Sequence, residues 1–162
     1  MKKLLHIDTS GTLASLAFSQ DLGCVIEKTN DRLQDHAAWI HTAIHEASTA
    51  CGIALNELDG ISVTIGPGSY TGLRVGLSTA KGLCYALQKP LLTIPTLELM
   101  ASVIPCSTEQ LICPMIDARR MEVYTALYDA ALKEISAPAA ARYDRSPAGR
   151  RYRPAARRSG AS

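Results

Sequence analysis

A chain of 162 residues with 17 Lys and Arg against 15 Asp and Glu, a net charge of +2 and 47% hydrophobic residues has room for one ordinary domain, or for one small domain and part of another. No apolar run reaches the length of a membrane span, and Met1-Lys2-Lys3 leads straight into a strand-like LLHID rather than a signal-peptide core, so a cytoplasmic protein with no membrane partner is expected. The five cysteines, Cys24, Cys51, Cys84, Cys106 and Cys113, are scattered without a C-x-x-C pair, which fits small buried hydrophobes better than a disulfide frame or a metal site.

Three short strands open the chain: Leu4 to Asp8, Ala14 to Ser19, and Cys24 to Thr29 after a turn at Asp21 and Gly23. Together they predict an antiparallel meander. From Asp35 to Cys51, Ala37, Ile40, Ile44, Ala47 and Cys51 recur at helical spacing, with Asp35 placed to cap the start. Gly60 to Ile65 reads as a buried strand, Thr71 to Leu87 as a helix, Leu91 to Ile94 as a strand, and Thr96 as the cap of a helix running to about Val103. After Pro105 the pattern restarts with strands at Leu111 to Ile116 and Met121 to Tyr128, joined by a turn at Asp117 to Arg120, and a third at Leu132 to Ile135. The domains expected are residues 1–104, complete, and 105–135, the start of a second copy.

The charge is split along this order: residues 1–134 sum to −4 and residues 135–162 to +6. The stretch 136–162 is made largely of Ala, Arg, Pro, Ser and Gly and has too few large apolar residues to bury a core. It is expected to be a disordered tail or the product of a shifted reading frame, with a nucleic-acid arm as the second reading.

Two features of the middle of the chain invite a functional reading. IGPGSYTGLRVG, from Ile65 to Gly76, joins a strand to a helix with glycines and hydroxyls, and the free N–H groups of such a turn can accept phosphate. Its spacing, however, matches neither a Walker A loop nor a dinucleotide fingerprint. Asp8, Thr9, Ser10, Gly66, Gly68, Ser69 and Thr71 are therefore only weak nucleotide-binding candidates, with Asp8 equally suited to closing the first hairpin turn. The second feature is the stripe Gly72, Gly76 and Ala80 on the predicted helix. Glycine inside a helix costs up to about 1 kcal/mol against alanine, so close approach of another backbone is expected, either the domain's own sheet or a partner subunit. The partner reading makes His36, Trp39, Ile40, Gly72, Leu73, Gly76 and Ala80 interface candidates. His41 and His45, one helical turn apart, lack a third ligand and read as a solvated or interface face, and Arg119 with Arg120 as a solvated turn.

The order βββαβαβα followed by a second βββ matches an α/β fold of the actin-like ATPase (ASKHA, ribonuclease H-like) class, with a complete first domain and an incomplete second. HIDTSGTLASLAF, QDHAAWI, ISVTIGPGSYTGLRVGLSTAKGL, IPTLELMA and ICPMIDARRMEVYTALYD carry a closer likeness over residues 1–135. Read together they resemble the bacterial TsaB (YeaZ) family, a subunit of the machinery that forms N6-threonylcarbamoyladenosine in tRNAs reading ANN codons. The resemblance implies a non-catalytic assembly subunit that pairs with a TsaD-like threonylcarbamoyltransferase and a TsaE-like ATPase, or with a second copy of itself, and that meets tRNA through the complex. The catalytic TsaD relatives carry a metal-binding H-x-x-x-H where this chain has Thr96 and Met100, so neither a catalytic residue nor a metal is expected here. No cofactor is required on this reading, with ATP or ADP bound at low affinity or at a complex interface at most. The competing reading is an actin-like small-molecule kinase or ATPase that uses Asp8 and the Gly66 to Gly72 loop.

Overall fold

The computed structural model describes residues 1–32, 35–142 and 153–154, and the chain divides into two compact units, Met1–Thr96 and Leu97–Ser162. In the first, β1 (Lys3–Asp8), β2 (Ala14–Gln20) and β3 (Gly23–Asn30) form the expected antiparallel meander. They are followed by α1 (His36–Cys51), a 3₁₀ turn at Leu55–Glu57, β4 (Gly60–Thr64), α2 (Tyr70–Leu87) and β5 (Leu91–Ile94). The sheet order is β3-β2-β1-β4-β5, with β4 parallel to β1 and β5 parallel to β4. This is the mixed α/β arrangement of the actin-like class.

Alternation along the strands sorts the side chains into two faces. Leu5, Ile7, Leu16, Phe18, Ile61 and Val63 pack against Ile40, Ala43, Ile44 and Ala47 of α1 and Ala80 and Cys84 of α2, which together make the core of this unit. Burying such aliphatic side chains stabilises the fold by roughly 1.5–3 kcal/mol each. The opposite face is polar, carrying His6, Asp8, Ser62 and Thr64. The two helices end where the backbone turns left-handed, at Gly52 and at Gln88.

The second unit holds α3 (Thr96–Ser102), which straddles the boundary, and the antiparallel sheet β6 (Met115–Arg119), β7 (Glu122–Tyr128), β8 (Glu134–Arg142) and β9 (Arg153–Pro154) in sequential order. Its core gathers Leu97, Ala101, Ile112, Ala126 and Tyr128.

Several expectations change. The boundary between units falls after Thr96 rather than after residue 104, because Leu97 and Ala101 bury against the second sheet's own residues. Leu111 to Pro114 make only an isolated bridge, Ile112 to Tyr128, before β6 begins at Met115 and runs through the predicted turn. The tail predicted from residue 136 is corrected for residues 136–142, which complete β8. Pro138 hid this strand: it cannot donate to a ladder, and the β7–β8 register shifts between Thr125 and Leu127, opposite it. The rest of the predicted tail lies outside the described residues, apart from the short β9. Asp35 makes no side-chain cap on α1, and the Thr96 hydroxyl, predicted to cap α3, has no hydrogen-bond partner among the described residues.

Candidate functional site

The Gly66 to Gly72 loop folds onto the turn between β1 and β2. Its Ser69 N–H donates to the Ser10 carbonyl at 2.7 Å, and the Thr9 hydroxyl donates to the Gly72 carbonyl at 2.7 Å. Ser69 then caps α2, accepting from the Gly72 N–H at 3.2 Å through its hydroxyl and from the Leu73 N–H at 2.8 Å through its carbonyl. Two of the N–H groups that a phosphate would need, those of Ser69 and Gly72, are thus committed within the chain.

The glycines explain themselves by the same contacts. A Cβ at Gly68 would overlap the Ser10 carbonyl oxygen, one at Gly72 the Thr9 carbonyl oxygen, and one at Gly76 the Thr9 hydroxyl. Gly66 has φ +102°, and a Cβ there would lie 3.0 Å from Leu73. The loop therefore uses glycine for the approach of its own backbone to the first hairpin.

Asp8 serves that corner as well. Its Oδ1 accepts from the Ser10 N–H at 2.9 Å and from the Thr64 hydroxyl at 2.8 Å, the hydrogen bonding expected of a turn-closing aspartate. Thr9 and Ser10 are buried, and Thr71 is exposed. Among the nucleotide candidates, the structure brings Asp8, Thr9, Ser10, Gly68 and Ser69 together, with hydrogen bonds to one another and to Thr64, Gly72 and Leu73.

Most of the interface candidates lie inside the first unit. His36, Ile40, Gly72, Gly76 and Ala80 are buried in the chain, and Trp39 and Leu73 are half-buried. Thr9 fills the space beside Gly72 and Gly76, so the small stripe packs against the domain's own β1–β2 turn. His36 carries both ring nitrogens without a hydrogen-bond partner among the described residues.

The other side of α2 carries a row absent from the sequence expectations. Tyr70, Arg74, Ser78, Lys81 and Tyr85 recur at steps of four, four, three and four and are all exposed, Tyr70 by 72% and Tyr85 by 82%. The Arg74 guanidinium sits 5.0 Å from the Tyr70 ring centroid, in cation–π range. The same residues recur at helical spacing in the sequence, beside the glycine stripe on the opposite side of the helix. His41 and His45 are likewise exposed on α1.

On the polar face of the first sheet, His6 lies between two hydroxyls, with Nδ1 2.7 Å from Ser62 Oγ and Nε2 2.8 Å from Ser19 Oγ. A neutral imidazole offers one donor and one acceptor, which two hydroxyls can satisfy together. Burial lowers the His6 pKa, in keeping with that neutral form.

Comparison with known proteins gives these residues a context. The family model described as TsaD, tRNA N6-adenosine threonylcarbamoyltransferase, matches residues 23–148. The tRNA threonylcarbamoyladenosine biosynthesis protein TsaB of Bacillus subtilis is 35% identical over 125 residues, 77% of this chain and 54% of the relative. A crystal structure described as a protein with similarity to peptidase YEAZ from Pseudomonas aeruginosa superposes with TM-score 0.78 at 25% identity, over 90% of this chain and 69% of that one. YeaZ from Pseudomonas aeruginosa superposes with TM-score 0.73 at 26% identity, over 88% of this chain and 67% of that one. The chain thus spans about half the length of the curated relative. Among the described residues, no helix is long and apolar enough to cross a membrane.

Proposed function

We propose, for a chain that belongs to the family of TsaD, tRNA N6-adenosine threonylcarbamoyltransferase, and that is similar to TsaB, an accessory role. It pairs with a TsaD-like catalytic subunit and supports formation of N6-threonylcarbamoyladenosine in tRNA, without carrying the transfer itself. The observation that carries this reading is the likeness to TsaB over 77% of the chain. Two features of the chain support it. At Thr96 and Met100 of α3 it has a hydroxyl and a thioether, not the imidazole pair expected of the catalytic relatives, and these are poor ligands for a hard or borderline metal. The β4–α2 loop, the natural place for a phosphate, is tied to the first hairpin at Ser69 and Gly72, and the Gly72 N–H is taken by the Ser69 hydroxyl.

The surface best suited to a catalytic partner is the exposed face of α2, where Tyr70, Arg74 and Tyr85 combine aromatic area with a guanidinium, the residue types enriched where interfaces are strong. A TsaE-like ATPase completes the assembly, a second copy of this chain can compete for the same face, and ATP or ADP binds at low affinity or at a complex interface. The site of action is the cytoplasm, where the tRNA substrate resides.

Purified chain, TsaD-like and TsaE-like subunits, preformed threonylcarbamoyl-adenylate, ATP and unmodified tRNA test this directly. Modified nucleoside should form only when the catalytic partner is present. Steady ATP hydrolysis by the isolated chain, with no response to the partner, would establish the actin-like kinase or ATPase reading instead.

A further inference from the structure

The second sheet brings together arginines that lie far apart along the chain. In register, Arg119 of β6 stands opposite Glu122 of β7, and Glu122 stands opposite Arg142 of β8. Glu122 and Arg142, directly paired, share a face, whereas the β6–β7 register shifts between Asp117 and Arg119 at the turn. With neighbouring strands about 4.8 Å apart, the Arg119 and Arg142 backbones lie on either side of Glu122 at roughly 10 Å from each other. Arg120 follows at the turn.

The acids at this end of the sheet are engaged. Asp117 Oδ1 accepts the Arg119 N–H at 2.7 Å, closing the turn, and Glu122 Oε1 lies 3.7 Å from Arg142 Nε in an exposed pair that solvent weakens. Arg119 and Arg120 are exposed and make no ion pair among the described residues. Arg119, Arg120 and Met121 have φ of +66°, +54° and +64°. Non-glycine residues seldom adopt this conformation, so the tip is a tight left-handed turn with two arginines on it. A second feature lies beside the charge. Tyr124 is two residues from Glu122 on β7, hence on the same face, and is 41% exposed.

We propose that this end of the second sheet is a contact surface for RNA. Arg119 and Arg120 grip backbone phosphates, Arg142 adds a third cation, and Tyr124 offers a ring on which an unpaired base stacks. Guanidinium matches phosphate with a planar, two-point fork, and base-on-aromatic stacking tolerates any sequence. Phosphate contacts position a nucleic acid without reading it, which suits a set of RNAs that share a shape rather than a sequence. The proposal rests on the proposed function only in naming tRNA as the RNA. The exposed ring beside the arginines favours RNA over an anionic membrane, which would meet the charge but leave the ring without a base.

The test is fluorescence anisotropy of labelled, unmodified tRNA titrated with the full chain between 50 and 200 mM salt, about the range over which phosphate contacts lose most of their strength. The Arg119→Gln/Arg120→Gln double variant should raise Kd at least about tenfold at the low-salt end and flatten the slope of log K against log salt by roughly 1.5, the loss of two phosphate contacts. Tyr124→Ala should weaken binding with the slope unchanged. Lys28→Gln/Lys89→Gln, which removes two cations from the first unit, should change neither. Circular dichroism establishes that each variant is folded, and Arg120→Gln alone, with half the slope change, serves if the double variant is not. The proposal is overturned if wild type fails to bind tRNA at low salt, if the arginine variants keep its slope, if the lysine variant loses as much, or if vesicles rich in phosphatidylserine displace the tRNA. Binding here needs no partner subunit. A failed proposed function with intact RNA binding therefore leaves this surface standing, whereas modification that proceeds without the arginine-dependent slope overturns the surface alone.

Discussion

The hydroxyl of Thr9 donates to the carbonyl of Gly72 at 2.7 Å, while the carbonyl of Thr9 occupies the space that a side chain at Gly72 would need. One residue of the first hairpin thus holds the α2 N-terminus by a hydrogen bond and demands glycine there by contact. The loop that looked like a phosphate cradle is a seam between two elements of one unit.

Gly72→Ala should therefore destabilise the chain by about 1–3 kcal/mol, the usual cost of overpacking, because backbone rather than a flexible side chain must move. Gly82→Ala, on the same helix with nothing within 4 Å of its added Cβ, should instead stabilise by about 0.5–1 kcal/mol. Urea midpoints of the two variants give the signs. Equal effects would show that helix propensity, and not the Thr9 contact, governs both sites.

Asp8→Ala removes the acceptor for the Ser10 N–H and for the buried Thr64 hydroxyl, so stability should fall by about 1–3 kcal/mol. Formation of modified nucleoside by the reconstituted complex should stay within a few-fold of wild type once folding is matched. A collapse of about a thousandfold, the scale of losing a charge-stabilising group at the reacting centre, would place Asp8 in catalysis and end the accessory reading.

His6 sets a pH dependence whose sign follows from its environment. Burial lowers its pKa in the folded chain below the ordinary 6.5, so the unfolded chain binds the proton more readily. The stability that neutral His6 contributes is complete above pH 6.5 and is lost as pH falls below it through the lowered folded value. Denaturant melts from pH 8 to 5 should show this decline in wild type, and His6→Gln should remove the His6 share of it. An identical profile in the variant would assign the decline to other groups.

Tyr70→Ala and Tyr85→Ala should leave thermal stability near wild type, since both rings are mostly exposed, by 72% and 82%. If the α2 face binds the catalytic partner, the double variant should weaken that association by at least about tenfold, as loss of one aromatic anchor commonly does. Gly76→Leu, by contrast, should unfold the chain, because its side chain would enter the space held by Thr9. Calorimetric titration with the partner separates the two outcomes.

The sequence by itself determined the elements of the first unit: short apolar runs marked β1 and β4, alternation marked β2, helical spacing marked α1 and α2, and the boundaries fell within a residue or two of those observed. Local patterning suffices there because the helices bury one face and expose another, while β4 is buried on both. It determined the family likeness too, through motifs that run continuously along the chain. Tertiary structure alone decided what those motifs touch. Gly72 and Gly76 read equally well as a partner stripe or as a seam until Thr9, more than sixty positions away, was seen to fill the space beside them. Strand register placed Arg142 in a row with Arg119, although the arginine-rich composition of that stretch reads as disorder. Composition reports how much apolar surface a segment can bury. It carries no record of a neighbouring strand whose backbone hydrogen bonds hold that segment in the sheet.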